Sequence, residues 1–207
     1  MISRGLKIGF LASGNGSSAE AITRAIADGG LNAEARLLVS NKKDCAAFAW
    51  AAAAGVPTLC IPTAADPDAA DARLEAALAD HGVDVVVLSG YLRRLGPKTL
   101  ARYAGRLLNI HPGPLPQFGG EGMYGARVHR AVIAAGVPQS AIVVHAVDEI
   151  YDHGPELART AVPVAPGDTA GTLEARVKAL EPAFFVATLR RIAAGELALP
   201  SPGDMKT

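Results

Sequence analysis

The stretch R-L-L-N-I-H-P-G-P-L-P, residues 106–116, is the starting point for interpreting this chain. Leu107, Leu108 and Ile110 predict a buried strand, which ends where Pro112 removes a backbone donor and disfavours helical angles before it. Because successive side chains of a strand point to opposite faces, Asn109 and His111 must project from the same face. The sequence therefore predicts an amide beside an imidazole at the carboxyl end of a strand, where open α/β sheets bind ligands.

The composition narrows the class of protein. The 207 residues are 50% hydrophobic, and 20 Lys and Arg balance 20 Asp and Glu. This neutral balance does not favour nucleic acid or an anionic membrane as a partner. Cys45 and Cys60 are too few for a disulfide framework. With no apolar run of about 20 residues and no signal-peptide pattern, we expect a soluble cytoplasmic protein.

Strand and helix patterns alternate along the first half of the chain. Each short apolar run is followed by a helical pattern that starts at polar or acidic residues and ends near glycine. This alternation predicts a parallel sheet with helices on both faces. The predicted strands are residues 6–12, 35–40, 57–61 and 83–89, and the predicted helices are residues 18–28, 45–54, 66–81 and 97–103.

The pattern changes after the proline-rich loop. A helix over 126–135 precedes two strands, 141–147 and 157–164, whose short connection predicts antiparallel pairing. The last helix begins near Thr169, and Pro182 is expected to kink or break it. We predict an α/β fold with a mostly parallel open sheet and an antiparallel C-terminal extension. It forms a single domain over 1–207, with halves 1–105 and 106–195 and a loose tail over 196–207.

The turn S-G-N-G-S-S, residues 13–18, lies between the first strand and the first helix. Gly14 and Gly16 allow close approach of a ligand, and the helix start offers unpaired N–H groups and a positive dipole end. These features suit a phosphate group. The turn matches neither the lysine-containing P-loop nor the G-x-G-x-x-G fingerprint, and a plain tight turn remains an alternative.

The loop D-E-I-Y-D-H-G-P, residues 148–155, supplies carboxylates. Asp152 precedes a rigid turn that could direct it toward the proline loop, where a carboxylate would raise the pKa of an imidazole and orient it. An ordinary solvated acidic loop is the alternative. A metal site would need Asp152 with His145 and His153, and His129 as a further candidate, but their spacing matches no familiar ligand pattern. We expect no metal.

These motifs together resemble the phosphoribosylglycinamide formyltransferases of purine biosynthesis. The resemblance covers nearly the whole chain, and the N-x-H-P element also marks the wider formyl-transfer group. The glycine-serine turn is typical of the glycinamide branch. The quoted motifs are S-G-N-G-S from Ser13, V-D-V-V-V-L-S-G-Y-L-R from Val83, A-G-R-L-L-N-I-H-P from Ala104 and Y-D-H-G-P from Tyr151.

The resemblance implies a Rossmann-like formyltransferase fold, with a phosphate- and ribonucleotide-binding half over 1–105 and a catalytic and folate-binding half over 106–195. It also implies a set of site residues. Asn109, His111 and Asp152 match the family's catalytic trio. The stretch that holds the ribonucleotide is matched by Gly14, Asn15, Gly16, Ser17, Ser18, Ala19 and Glu20, with Lys178 and Glu181 farther along the chain. The folate co-substrate is expected against Leu92, Arg93, Arg94, Leu95, Asn109, Asp148, Glu149, Ile150, Tyr151 and Asp152.

The implied reaction moves the formyl group of 10-formyltetrahydrofolate to the amine of 5-phosphoribosylglycinamide. Asn109 and a protonated His111 would donate hydrogen bonds to the developing oxyanion, where one such donor is worth about 3 kcal/mol. Asp152 would keep His111 protonated and help to move the proton from the amine to the departing nitrogen. The partners would be two small molecules, and both a monomer and a homodimer are open.

Other functions remain open at this stage. A formyltetrahydrofolate hydrolase would use water in place of the amine, and another formyltransferase would use a sugar amine. A non-catalytic module would bind folate or phosphate without turnover. Two departures from the family pattern also matter. Residues 117–125 form a glycine-rich segment that we expect to act as a lid, and Pro182 directly follows Glu181.

Overall fold

The computed structural model describes residues 5–206. Residues 1–4 and residue 207 lie outside this range. Residues 1–4 belong to the N-terminal stretch in which the sequence analysis found no signal-peptide pattern. The described strands are β1 (Leu6–Ala12), β2 (Ala33–Ser40), β3 (Thr58–Cys60), β4 (Val85–Leu88), β5 (Leu107–His111), β6 (Gln139–Ala146) and β7 (Glu156–Pro163). The helices are α1 (Ser17–Ala27), α2 (Ala47–Ala53), α3 (Pro67–Asp80), α4 (Pro97–Arg102), α5 (Ala126–Ala134) and α6 (Ala170–Ala193), with a short 3₁₀ helix over Asp204–Lys206.

The strands form one sheet in the order β3-β2-β1-β4-β5-β6-β7. Strands β1 to β5 pair in parallel, whereas β6 runs antiparallel to both β5 and β7. This arrangement confirms the predicted fold class, including the antiparallel extension. The strand order reverses between β1 and β4, which places a ligand crevice at the carboxyl ends of these two strands.

Apolar clusters cover both faces of the sheet. On β1, the neighbouring residues Phe10 and Leu11 belong to different clusters, as alternation along a strand requires. The Phe10 cluster includes Ile22 of α1 and Phe185 of α6, and the Leu11 cluster includes Leu78 of α3. A third cluster joins α5 and α6 to the antiparallel strands. The buried sheet is therefore held between helices and keeps its polar edge open.

Helix α6 runs without interruption through Pro182, so of the two predicted outcomes, a kink or a break, the break is wrong. A proline inside a helix removes one backbone hydrogen bond and crowds the preceding turn, at a cost of about 3 kcal/mol. Downstream of it, Phe185 and Leu189 are fully buried in the first cluster. Burial of these two side chains offsets the cost and keeps the helix continuous.

The predicted loose tail is also wrong for its described residues. Leu197 and Leu199 pack against the first apolar cluster. The carbonyl oxygen of Pro200 lies only 2.0 Å from where a Cβ on Gly105 would be. The tail therefore crosses the body of the protein in close contact, because its alternating leucines bury apolar surface.

Asp71 on α3 anchors the beginning of α4. Its carboxylate accepts hydrogen bonds from the backbone N–H groups of Lys98 and Thr99 and from the Thr99 hydroxyl, at 2.8, 3.1 and 2.6 Å. Asp71→Ala would leave the helix start without these carboxylate acceptors, and the fully buried Thr99 hydroxyl with only the Asp71 carbonyl at 3.5 Å. We expect a loss of about 3 kcal/mol in the free energy of unfolding, measured by urea denaturation.

The exposed Asp68, in the first turn of the same helix, provides the control. Asp68→Ala removes only a favourable helix-dipole interaction and should cost no more than about 1 kcal/mol. Equal losses for the two variants would contradict the anchoring role of Asp71.

Candidate functional site

Strand β5 carries the predicted amide and imidazole at its carboxyl end, which confirms their placement. The strand ends at His111, whose side chain is buried, whereas Asn109 is partly exposed. In the antiparallel pairing with β6, Asn109 lies opposite His145. The Asn109 Nδ2 and His145 Nε2 atoms are 3.2 Å apart. The sheet thus brings together two side chains that are 36 residues apart in the sequence.

Asp152 is held between the two histidines. Its Oδ2 lies 3.4 Å from His111 Nδ1, its Oδ1 lies 3.5 Å from His145 Nε2, and only 11% of its side chain is exposed. The backbone N–H of Gly120 donates to Oδ2 at 3.1 Å. Asp152 therefore points into the protein toward the proline loop, and the expected juxtaposition with His111 is present.

The backbone at Asp152 is unusual. Its φ of 56° lies in the left-handed region, which is uncommon for a residue other than glycine but tolerated by aspartate. Two residues later, a Cβ at Gly154 would lie 2.1 Å from the Ala146 carbonyl oxygen. The turn thus depends on a close backbone approach, which holds the carboxylate against β5 and β6.

His145 is the residue that the sequence analysis missed, because it was considered only as a metal ligand. Its Nδ1 lies 2.9 Å from the Ala146 carbonyl, which can only accept, so Nδ1 carries the proton. In the neutral ring Nε2 is then free to accept from the Asn109 amide. His145 thereby fixes the orientation of Asn109, a role that the strand register signals only once the sheet order is known.

The charge state of His111 differs from the expected one. Burial lowers the pKa of His111 more than the nearby carboxylate of Asp152 and the bond to the Phe118 carbonyl raise it. The expectation that Asp152 holds this ring protonated is therefore wrong at neutral pH. Nε2 donates to the Phe118 oxygen at 2.8 Å, which leaves Nδ1 as the unprotonated atom facing Asp152.

Asp152 itself remains ionised. Burial alone would raise the pKa of its carboxyl, but the adjacent rings of His145 and His111 and the N–H of Gly120 lower it more. The carboxylate and the neutral His111 ring therefore form a pair that can take up one proton. Any proton on the ring is stabilised by the adjacent negative charge.

The glycine turn after β1 lies in the crevice where the strand order reverses. Gly16, in the left-handed conformation at φ 63°, precedes α1 and has no side chain with which to cap the helix start. Trp50 Nε1 donates to the Asn15 carbonyl at 2.9 Å and steadies the turn. The Ser17 and Ser18 amides begin the helix, where N–H groups lack helical acceptors. This geometry fits an anion.

One of the predicted phosphate donors is already used. The backbone N–H of Ala19 donates to the Ser89 hydroxyl at 3.2 Å, in a buried contact between α1 and the end of β4. The Glu20 side chain pairs with Arg24 on the next helical turn. Ala19 and Glu20 thus support the shape of the turn, whereas Gly14, Asn15 and Ser17 are exposed.

Helix α6 places Lys178 and Glu181 one turn apart, and the helix packs against α1 and α5. Lys178 Nζ pairs with Glu174 at 2.6 Å. Burial raises the pKa of Glu181 to about 7, and the nearby Lys178 charge opposes this shift. His129 of α5 is buried, and burial lowers its pKa.

A cavity of about 570 Å³ lies beside the folate-binding segments implied by the resemblance. Its lining includes four of the expected residues, Arg94, Leu95, Asp148 and Glu149. It also includes residues that the sequence analysis did not single out, namely Ile61, Thr63, Pro67, Asp68, Ala70, Asp71, Leu74, Tyr91, Gly96, Pro97, Leu100, Ala101, Ala104, Val147 and Met205. Most of the lining precedes residue 105, so the cavity is not confined to the predicted folate-binding half.

The remaining expected folate residues lie outside this lining. Leu92, Ile150 and Tyr151 are exposed, at 61, 57 and 46%, and flank the site on loops. Arg93 is also exposed. The expected catalytic trio is not part of the lining, although Asp152 shares its loop with Asp148 and Glu149, and Arg94 donates to the Glu149 carbonyl at 2.8 Å.

Two further observations on the described residues concern metal ligands and membrane-spanning helices. Across residues 5–206, no group of three or more His, Cys, Asp or Glu side chains is arranged to hold a metal ion. The proposed ligand His153 instead contacts Asp148 at 2.8 Å. Over the same range, no helix combines the length and the apolar character needed to cross a membrane.

The chain belongs to the formyl transferase family, because the model of that family, described as "Formyl transferase", matches residues 6–189. A curated relative from Escherichia coli K12, named "Phosphoribosylglycinamide formyltransferase", is 36% identical over 194 residues, which are 93% of this chain and 89% of the relative. The solved structure of glycinamide ribonucleotide transformylase 1 from Symbiobacterium toebii has a TM-score of 0.86 and 31% identity. The matched region covers 96% of this chain and 92% of the Symbiobacterium toebii chain.

Plant relatives are longer than this chain. The Arabidopsis thaliana protein named "Phosphoribosylglycinamide formyltransferase, chloroplastic" is 39% identical over 183 residues, which are 87% of this chain. The matched part spans 63% of that protein, and 58% of its counterpart from Vigna unguiculata. The family identified by these comparisons is therefore the one that the sequence motifs resemble, and the match extends over nearly the whole of this chain.

The contact between Asp152 and His111 can be tested by titration. Asp152→Asn removes the negative charge that raises the pKa of His111, so we expect that pKa to fall further below its value in the unchanged protein. Nuclear magnetic resonance of the ring Cε1 proton against pH measures this shift. Asp148→Asn, which removes the partner of His153 instead, should leave the His111 titration unchanged. A His111 pKa that stays constant or rises in Asp152→Asn would contradict the contact.

Proposed function

We propose that this chain transfers the formyl group of 10-formyltetrahydrofolate to the amine of 5-phosphoribosylglycinamide. The products are formylglycinamide ribonucleotide and tetrahydrofolate, in de novo purine biosynthesis. The observation that carries this proposal is the meeting of Asn109, His111 and Asp152 at the carboxyl end of β5. The names of the similar proteins support the same activity.

The cavity suits the folate co-substrate. Its walls are largely apolar, with Leu95, Leu100 and Val147, and Arg94 and Asp148 provide polar groups. A flat heterocycle with hydrogen-bonding edges fits a site of this kind. When bound, the co-substrate supplies an activated formyl group. We propose that the loop over 148–152 and the segment over 92–95 bind it.

We propose that the turn over Gly14 to Ser18 binds the phosphate of the ribonucleotide. The N–H groups at the start of α1 and its positive dipole end favour an anion. Lys178 and Glu181 on the neighbouring α6 would face the rest of this substrate. Because the turn and β5 both lie at the carboxyl edge of the sheet, the nucleotide can bring its amine toward the trio.

Asn109 is placed to stabilise negative charge on the formyl oxygen. A side-chain amide carries two hydrogens, and His145 accepts one of them. The second is then left for the substrate. A donor of this kind is typically worth about 3 kcal/mol in the transition state.

Asp152 and His111 are placed to move the proton of the attacking amine. Both nitrogens of His111 face protein acceptors, so the partly exposed Asp152 is the group that the amine meets, directly or through water. The proton of the amine passes toward Nδ1 of His111, and the Asp152 carboxylate stabilises the resulting imidazolium. The same pair returns the proton to the departing nitrogen.

The direct test is an assay for tetrahydrofolate release with and without 5-phosphoribosylglycinamide. The proposal requires release that depends on the ribonucleotide. Equal release without it would favour a hydrolase, which uses water in place of the amine. Ligand binding without turnover would favour a non-catalytic module.

The proposed partners are these two small molecules. The similar proteins are named for a small-molecule substrate, and no helix over residues 5–206 is long and apolar enough to cross a membrane. We propose a cytoplasmic enzyme without a nucleic-acid partner. Sedimentation equilibrium would distinguish a monomer from a homodimer.

His111→Ala should lower kcat by about 100-fold with little change in either KM, because the acid-base partner of Asp152 is lost. Steady-state formyl transfer measures the effect. His129→Ala is the matched control, since His129 is an equally buried histidine that lies outside the proposed trio. We expect its kcat to stay within about twofold of normal. Near-normal kcat in His111→Ala would overturn the proposed role of the ring.

The raised pKa of Glu181 predicts a pH dependence of ribonucleotide binding. As the pH rises through about 7, this carboxyl ionises and becomes a stronger acceptor for substrate hydroxyl or amine groups. Glu181→Gln should therefore raise the KM for the ribonucleotide more at pH 8 than at pH 6, by a factor of about three. Glu75→Gln serves as the control, because Glu75 pairs with Arg102 and both residues lie on helices other than α6. A ratio that does not vary with pH would refute the role of Glu181.

A further inference from the structure

We propose that the carboxyl-terminal segment, residues 201–205, forms one wall of the folate cavity and positions the heterocycle of the co-substrate through Met205. This inference rests on the proposed function, because it assigns the cavity to the folate. Met205 lines the cavity together with residues of α3, α4 and the loop after β6. It stands more than 50 residues from the next lining residue in sequence, Glu149.

The segment is attached firmly to the body of the protein. Leu197 and Leu199 pack against the first apolar cluster. The Pro200 carbonyl then passes over Gly105, where any Cβ would lie only 2.0 Å from its oxygen. Gly105 directly follows the lining residue Ala104, so the chain enters residues 201–205 beside the cavity.

A closed turn then fixes the direction of the segment. The backbone N–H and the hydroxyl of Ser201 both donate to Asp204 Oδ2, at 2.8 and 2.7 Å. The N–H of Asp204 donates back to the Ser201 carbonyl at 3.0 Å. The two bonds that Ser201 donates to the carboxylate hold the pKa of Asp204 below its usual value. All three bonds orient the 3₁₀ helix that carries Met205.

The chemistry of Met205 suits an aromatic heterocycle. Its neighbours on the α4 side of the lining include the small residues Ala101 and Ala104, which leave room beside the helix. A methionine side chain is flexible and polarizable, fills irregular apolar space and packs well against aromatic rings. The same lining carries the polar groups of Arg94, Asp148 and Glu149. Met205 would thus provide apolar contact in a cavity that also offers polar groups.

Direct binding of tetrahydrofolate tests this role apart from catalysis. Isothermal titration calorimetry on the full chain, on Met205→Glu and on a chain ending at Pro200 should show a Kd at least about fivefold higher for both variants. Met205→Leu keeps an apolar wall and should bind within about twofold of the unchanged chain. The KM for formyl folate should rise in parallel, whereas kcat and the KM for the ribonucleotide stay within about twofold.

Val137→Ala is the matched control, because Val137 is a half-buried apolar residue of the third cluster, away from the cavity. Thermal unfolding confirms that each variant is folded, and Met205→Glu keeps the test valid if the shortened chain unfolds. An unchanged Kd in Met205→Glu, or a ribonucleotide KM that rises as much as the folate KM, would overturn the proposal. A chain that binds tetrahydrofolate through Met205 but transfers no formyl group would refute the proposed function alone.

Discussion

The carboxylate of Asp152, held between two histidines and a backbone amide, is the interaction on which the site depends. It links β5 through His111, β6 through His145 and the glycine-rich segment through Gly120. A charge removed from water in this way is costly unless it is hydrogen-bonded. The Gly120 N–H donates to the carboxylate, and the adjacent His145 and His111 rings favour its charged form. These contacts fix the carboxylate beside His111, where the backbone of Asp152 is left-handed.

The sheet order places the second part of the site. The strand order reverses between β1 and β4, and hydrogen bonds join the segments that follow these two strands. The Ser13 hydroxyl accepts from the Leu92 N–H, and the Ser89 hydroxyl accepts from the Ala19 N–H. The phosphate turn and the proposed folate loop are thus coupled through two serines. A substrate phosphate bound at the start of α1 would be held at a constant distance from β5.

Burial and charge act in opposite directions on the titratable groups, and the balance differs from site to site. For His111, burial prevails and the ring is neutral, whereas for Asp152 the donors prevail and the carboxyl is ionised. For Glu181, burial raises the pKa to about 7, close to neutral pH. An ionised acid beside a neutral base is a suitable starting state for transferring the proton of an amine.

The sequence by itself determined the local features of this protein. The strand period placed Asn109 and His111 on one face, the alternation of strands and helices predicted the sheet, and the family motifs pointed to Asp152. Only the tertiary structure decided which distant groups meet. The pairing of Asn109 with His145, the use of the Ala19 amide by Ser89, the continuity of α6 through Pro182 and the position of Met205 beside the cavity all depend on it. The physical reason is that spacing along a chain defines a face, whereas strand order, burial and packing decide what that face touches.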